Sequence, residues 1–313
     1  MSIANYFSID VEDYFQVSAF EEVSPRCVWS EQELRVERNT EKVLAILNEA
    51  GVKGTFFVLG WVAEHCPGLV RKIAAEQHEV ACHGYSHRRV CQQSREEFRE
   101  DIKRSKGVIE DQTGLPVLGY RAPSYSISPR CYWAFDELLA AGFRYDSSIF
   151  PVRHDFYGMP QWQRFRGLAM RDSSGAWQPS GKDDRKSPIL VEMPITPLNL
   201  MGVNLPIAGG GYFRLFPYSV TRWGLQRINR DDGRPFVFYL HPWELDPDQP
   251  RMAGACLKSR FRHYLNLDKT EQRLRRLLDD FSFVPLRSSL RRSIRPRPAY
   301  HWPLVEHDGY SLG

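Results

Sequence analysis

An α/β fold built on a parallel sheet is what this sequence predicts, and three observations predict it. Apolar, β-rich runs alternate with helical patterns along most of the 313 residues, no internal repeat interrupts them, and polar residues gather at the ends of the apolar runs. A βα alternation sustained this long implies parallel strands, closed as a barrel or open and doubly wound. The length suffices for a large core, in one big domain or two small ones.

The first strand is read at 5–11 (NYFSIDV), and a helix follows over 39–51, with Asn39 or Thr40 as its cap and Gly51 as its stop. Next come a strand at 54–60 (GTFFVLG), a helix at 67–77 with Pro67 in its first turn, and a strand at 78–84 (HEVACHG). Ser94 and Glu97 fit a capping box that opens a helix over 94–114. Strands at 117–123 (VLGYRAP) and 143–149 (FRYDSSI) enclose a helix at 128–142. Residues 152–188 break the rhythm, and Arg, Trp, Gly, Ser and Asp dominate them; they read as a long insertion ordered in part by Trp162, Phe165 and Trp177. After it come a strand at 189–195, a Gly-rich loop at 205–217, a helix at 218–231, a strand at 235–242 (PFVFYLHP), a helix at 268–281 and a last strand at 281–286. The folded unit is expected to span 1–286, and 287–313 to be a basic C-terminal extension.

Composition excludes several classes. With 42% hydrophobic and 26% charged residues the chain reads as globular, and a net charge of +4 does not call for nucleic acid. No run approaches the ~18 apolar residues of a membrane span. The excess of arginine sits at 287–298, which reads as a solvated tail with weak contact to an anionic membrane as the sharper alternative. The first residues show no signal-peptide pattern, and six cysteines without a C-x-x-C pair read as free thiols, so a cytoplasmic location is expected.

Asp10, His83, Arg121, Asp146 and His241 each fall at or just after the end of an apolar run, where either architecture places its functional mouth. His83 and His87 in HGYSH share a loop that Gly84 can turn, and two imidazoles with one carboxylate make a catalytic metal set with a position open for water. The carboxylate can come from DVED, which offers Asp10, Glu12 and Asp13. Water held by a metal ionises near neutral pH, and a second carboxylate can take its proton. Arg121 can hold a catalytic acid ionised, His241 can protonate a leaving group, and Asp146 can orient His241.

Read in order, SIDVED, HGYSH, YRAPSY, RYDSS and FYLHP resemble the five motifs of the polysaccharide deacetylase superfamily, carbohydrate esterase family 4, also called the NodB-homology group. DVEDYFQVSAF, GGGYFRL, LHPWELDPDQPR and the C-terminal extension resemble one subfamily, found in exosortase-type exopolysaccharide gene clusters.

The resemblance implies a distorted, incomplete (β/α) barrel and metal-dependent removal of N-acetyl groups from hexosamines of an exopolysaccharide or its precursor. By it, Asp10 matches the base, His83 and His87 the metal ligands, Arg121 the tether of the base, His241 the acid, and Asp146 that acid's support. The usual second aspartate is Val11 here, so the ligand role passes to Glu12 if the strand persists or to Asp13 if the chain bends. Zinc suits the donors, and cobalt, nickel or manganese also fit. Ser124, Tyr125, Tyr212 and Trp243 are expected to meet the N-acetylated saccharide. The competing readings are an allantoinase-like amide hydrolase, an O-acetyl esterase and a non-catalytic sugar-binding protein.

Overall fold

The computed structural model describes residues 3–154, 158–171, 177–180 and 189–292. Its strands are β1 (Ala4–Val11), β2 (Thr55–Val58), β3 (Glu79–Cys82), β4 (Gly119–Tyr120), β5 (Tyr145–Asp146), β6 (Gly167–Arg171), β7 (Trp177–Ser180), β8 (Ile189–Glu192), β9 (Leu198–Leu200), β10 (Val203–Leu205), β11 (Val237–Leu240) and β12 (Ser282–Val284). Its α-helices are α1 (Val36–Glu49), α2 (Gly60–His65), α3 (Pro67–Ala75), α4 (Arg95–Thr113), α5 (Trp133–Ala140), α6 (Gly210–Leu215), α7 (Tyr218–Arg227), α8 (Leu257–Tyr264) and α9 (Leu267–Asp280).

The main sheet runs β11-β1-β2-β3-β4-β5-β8-β6-β7, with β12 also on β1. Every ladder from β11 to β8 is parallel, and β6 and β7 add an antiparallel edge. Helix-covered parallel strands are buried on both faces, which is why every residue of β2 and β11 is buried and all but Thr55 are apolar or aromatic.

The sheet curls. Arg121 follows β4 directly, yet it bonds Ser8 and Asp10 on β1; three flat steps of about 4.8 Å would hold those backbones ~14 Å apart. Six steps separate β8 from β11, yet Val237 N donates to Thr196 Oγ1 at 3.0 Å. Gly209 makes a parallel bridge to Tyr239 and lies along the open edge of β11. The result is an incomplete, distorted barrel whose seam lies between β8 and β11.

Local signals explain most boundaries. The Ser94 side chain accepts from Glu97 N and Glu97 returns the bond, and α4 stops at Gly114 with φ 65°. Helix α1 begins at Val36, so Asn39 and Thr40 lie inside it, and its opening amides are served from elsewhere in the chain. The expected insertion at 152–188 contains β6 and β7, a hairpin that extends the sheet, with Trp162 and Trp177 packed on Phe135; 155–157, 172–176 and 181–188 lie outside the described residues. The expected Gly-rich loop holds a helix, α6. Leu286 N donates to Thr55 Oγ1 and Arg287 N to Glu79 Oε2, so the chain stays docked across the boundary expected at 286, while 293–313 lie outside the described residues.

The cysteine expectation fails. Cys91 and Cys131 form a disulfide, while Cys27, Cys66, Cys82 and Cys256 are free. A separation of 40 residues carries no sequence signal, and the turns that bear the two cysteines meet only in the fold. The step from free thiols to a reducing compartment therefore loses its basis. No helix among the described residues is long and apolar enough to cross a membrane.

Candidate functional site

The carboxyl ends of β1, β3, β4 and β11 open into one cavity of about 780 Å³, lined among others by Asp10, Glu12, His83, His87, Ser124 and His241. At the end of β1 the backbone turns at once, with Glu12 N donating to Asp10 O, and the three carboxylates part company.

Asp13 leaves the site. Its Oδ2 accepts from Arg35 N at 2.7 Å and Val36 N at 2.8 Å, and its Oδ1 accepts from Tyr14 N. It thereby serves the orphan amides that open α1. Burial pushes its pKa up to about 6 against the pull of these bonds. Asp13 is therefore committed to the helix and stands apart from the cluster of Glu12, His83 and His87, contrary to the expectation of a ligand role.

Glu12 turns toward the histidines. Donor atoms of Glu12, His83 and His87 all lie within 4.8 Å of one another, and all three side chains are buried. Gly84 and His87 take φ of 74° and 53°, so the loop after β3 doubles back and brings both imidazoles to one side. His83 Nδ1 donates to Arg121 O at 2.8 Å, which leaves Nε2 as the lone-pair atom. Burial holds His83 neutral, with its pKa down at about 4. Burial works against Glu12 as an anion, but His87, His241 and His83 around it bring its pKa down to about 2.

These residues fit a divalent cation. Glu12 Oε2 is buried with no hydrogen bond, although His87 Nε2 lies 2.8 Å away. A buried carboxylate oxygen beside two imidazole nitrogens, with no donor aligned to it, is the polar deficit that a metal would meet.

Asp10 is held by Arg121. The arginine is fully buried; its Nη1 donates to Asp10 Oδ1 at 2.5 Å and to Ser8 Oγ, Nη2 donates to Ser147 Oγ, and Nε to Ser147 O. Its guanidinium also lies over Phe57, 4.1 Å from the ring centre. Asp10 Oδ2 is left toward His241, 3.9 Å from its Nε2.

His241 is oriented by Glu244 and not by Asp146. Pro242 starts a 3-10 turn (Pro242–Leu245), and the turn returns Glu244 Oε1 to 2.5 Å from His241 Nδ1. Burial would lower the imidazole pKa, but this bond and the charges of Glu12, Glu244 and Asp10 raise it to about 9. Asp146 instead accepts from Ser148 and stands beside Glu192 in the β5–β8 register, where burial raises the pKa of both acids.

The expected sugar contacts divide. Ser124 lines the cavity with φ 53°, its hydroxyl 2.6 Å from Ser18 Oγ. Tyr125 lines it too, but packs its ring on Tyr239 and Phe150. Trp243 is buried between His241 and His263, and its Nε1 donates to Glu12 Oε1 at 3.3 Å. Tyr212 is not among the cavity-lining residues and pairs with Phe216; Arg214 of the same helix lines the wall instead.

Three residues escaped the sequence reading: Ser147, Glu244 and Arg214. For Glu244 a signal existed, since a carboxylate three residues after a histidine, with proline between them, suits a tight turn.

Comparison with known proteins agrees with this geometry. Residues 22–142 match the polysaccharide deacetylase family, and residues 147–291 match a domain of unknown function, DUF3473. A peptidoglycan-N-acetylglucosamine deacetylase of Bacillus cereus is 34% identical over 84 residues, 27% of this chain and 30% of that protein. One from Listeria monocytogenes is 39% identical over 84 residues, 27% of this chain and 18% of its own length. A peptidoglycan deacetylase-like protein of Gibberella zeae is 26% identical over 229 residues, 69% and 65% of the two chains. The chain thus spans less than a third of the two bacterial relatives' lengths. A solved structure of a Mycobacterium smegmatis protein assigned as a polysaccharide deacetylase shares the fold, with a TM-score of 0.56, 17% identity, and 97% and 99% of the chains covered. The five motif segments gather at one barrel mouth, and residues 22–142 of this chain form a polysaccharide deacetylase domain of the NodB-homology superfamily.

Proposed function

We propose that this protein hydrolyses N-acetyl groups from hexosamine units of a bacterial exopolysaccharide or its precursor, releasing acetate and a free amine. The observation that carries this reading is the convergence in one cavity of a tethered carboxylate (Asp10–Arg121), a ligand set (Glu12, His83, His87) and an oriented imidazole (His241).

A divalent cation held by Glu12, His83 and His87 supplies Lewis acidity to a water molecule and to the acetamide carbonyl. Zinc suits two imidazoles and a carboxylate, and cobalt, nickel or manganese fit the same donors. Asp10 takes the proton of the attacking water on Oδ2, because Arg121 occupies Oδ1. The Ser124 N–H, at the cavity wall, serves the developing oxyanion. His241 donates from Nε2 to the departing nitrogen, which leaves poorly as an anion. Water adds OH to the acyl carbon and H to the amine, so the atoms balance.

The test is acetate release from N-acetylglucosamine oligomers by metal-stripped protein reconstituted ion by ion, beside small ureides and O-acetyl sugars. Acetate release from the oligomers that depends on added metal and is lost in Asp10→Asn supports the reading. Faster turnover of ureides or O-acetyl sugars, or sugar binding without hydrolysis, overturns it.

A further inference from the structure

The Gly-rich segment plays no part in the reaction above, and its glycines need a reason. Gly209 and Gly210 have φ of 123° and 53°, and a Cβ on either would collide with Tyr239. The backbone therefore lies directly on β11, and α6 starts there. This seat carries Arg214 beneath the turn that follows β11.

Arg214 is 2% exposed. Its Nη1 donates to His263 O at 2.7 Å and Leu265 O at 3.0 Å, which fixes the guanidinium from behind. Its Nε donates to Glu244 Oε2 at 2.7 Å. The other oxygen of Glu244 holds His241 Nδ1, so one line of contacts runs from α6 to the cavity. A buried carboxylate without its cation takes a proton or turns away. His241 would then keep its ring packing on Trp243 and Tyr239 and the nearby carboxylates of Glu12 and Asp10, but would lose the short bond that fixes Nδ1 away from the substrate.

We propose that Arg214 is a positioning residue for His241, acting through Glu244: the guanidinium fixes the carboxylate, the carboxylate fixes Nδ1, and Nε2 stays aimed at the leaving nitrogen. The inference rests on His241 being the acid, and it gives the Gly-rich segment a function in the site.

The experiment compares two substrates on metal-loaded enzyme. An N-acetylglucosamine oligomer needs its amine protonated as it leaves, whereas 4-nitrophenyl acetate expels a phenolate unaided. His241→Asn is expected to lower the amide kcat by about 10²–10⁴-fold and the ester rate by less than about 3-fold. Arg214→Met should lower the amide kcat at least about 10-fold, and by a clearly larger factor than it lowers the ester rate, with metal content retained. Arg214→Lys should retain more amide activity than Arg214→Met, and Arg214→Met/Glu244→Gln should be no worse than the single change. If Arg214→Met does not fold, Glu244→Gln reads the same ratio. Full amide activity in Arg214→Met, or an equal fall of both substrates while His241→Asn still separates them, overturns the inference alone. An equal fall in His241→Asn removes the acid reading and this inference with it.

Discussion

Glu12 and Asp13 are neighbours with opposite duties, and exchanging each for its amide separates them. In Asp13→Asn the amide oxygen can keep the two N–H bonds of Arg35 and Val36, but its NH2 then faces Tyr14 N–H, donor against donor. One charge-assisted bond is lost, worth about 1.5–3 kcal/mol, and relief of the buried charge offsets part of it. Metal-free Asp13→Asn should therefore unfold about 2 kcal/mol more easily in urea, with metal affinity changed less than about 3-fold. Glu12→Gln keeps the Oε1 that accepts from Trp243 and gives up the charged contact of Oε2 with His87 Nε2 at 2.8 Å, while relief of a buried charge offsets that loss. Its metal-free stability should stay within about 1 kcal/mol, while equilibrium dialysis should show metal affinity at least about 100-fold weaker. The assignment is refuted if Asp13→Asn loses the metal at unchanged metal-free stability, or if Glu12→Gln keeps it.

Trp243→Phe removes the donor to Glu12 Oε1 and should weaken metal binding about 10-fold, and unchanged binding would contradict an orienting role. Reducing Cys91–Cys131, or replacing both by serine, reopens a 40-residue loop and should cost about 4 kcal/mol in denaturant; equal midpoints with and without reductant would oppose this. His78 is buried and neutral, its Nδ1 accepts from Gly54 N, and burial brings its pKa from 6.5 down to about 4. Since the unfolded chain binds that proton more readily, stability should fall as pH drops from 6.5 to 4, by up to about 3 kcal/mol from this group. His78→Gln should flatten that part of the profile, and an unchanged slope would argue against it.

The parallel core was legible because strands buried on both faces read as mostly apolar runs, as in β11 and Phe56–Val58 of β2, and in β1 despite Asn5, Ser8 and Asp10. The β6–β7 hairpin was not, because it carries Pro179 and arginine at the sheet edge, where one side needs no burial. At the site, the positions that follow strand ends were visible, since βα loops carry the chemistry. The partners of those residues were not. Its place at a strand end and its motif both suggest Asp146 as the support of His241, but its side chain faces Ser148 and Glu192. Glu244 takes that place from a turn only four residues long. Sequence gives which residues end a strand, whereas which carboxylate an imidazole meets depends on rotamers that packing sets.

The two family matches divide a site that the fold does not divide. Residues 22–142 bring His83, His87 and Arg121; residues 147–291 bring Ser147, Arg214, His241, Trp243 and Glu244; Asp10 and Glu12 precede both. The sheet shows why they fold together. β1 pairs with β2 from the first match and with β11 and β12 from the second, so without the second it becomes a bare apolar edge. Arg121 would also lose both bonds to Ser147 and keep only those to Asp10 and Ser8. Under the proposed mechanism, the domain of unknown function would bring the acid, His241, to the barrel. A fragment of residues 1–146 is thus expected to show no cooperative unfolding transition and no metal binding at the affinity of the whole chain. A sharp transition with intact metal binding in that fragment would make the first half a self-sufficient unit and reduce the second to an accessory.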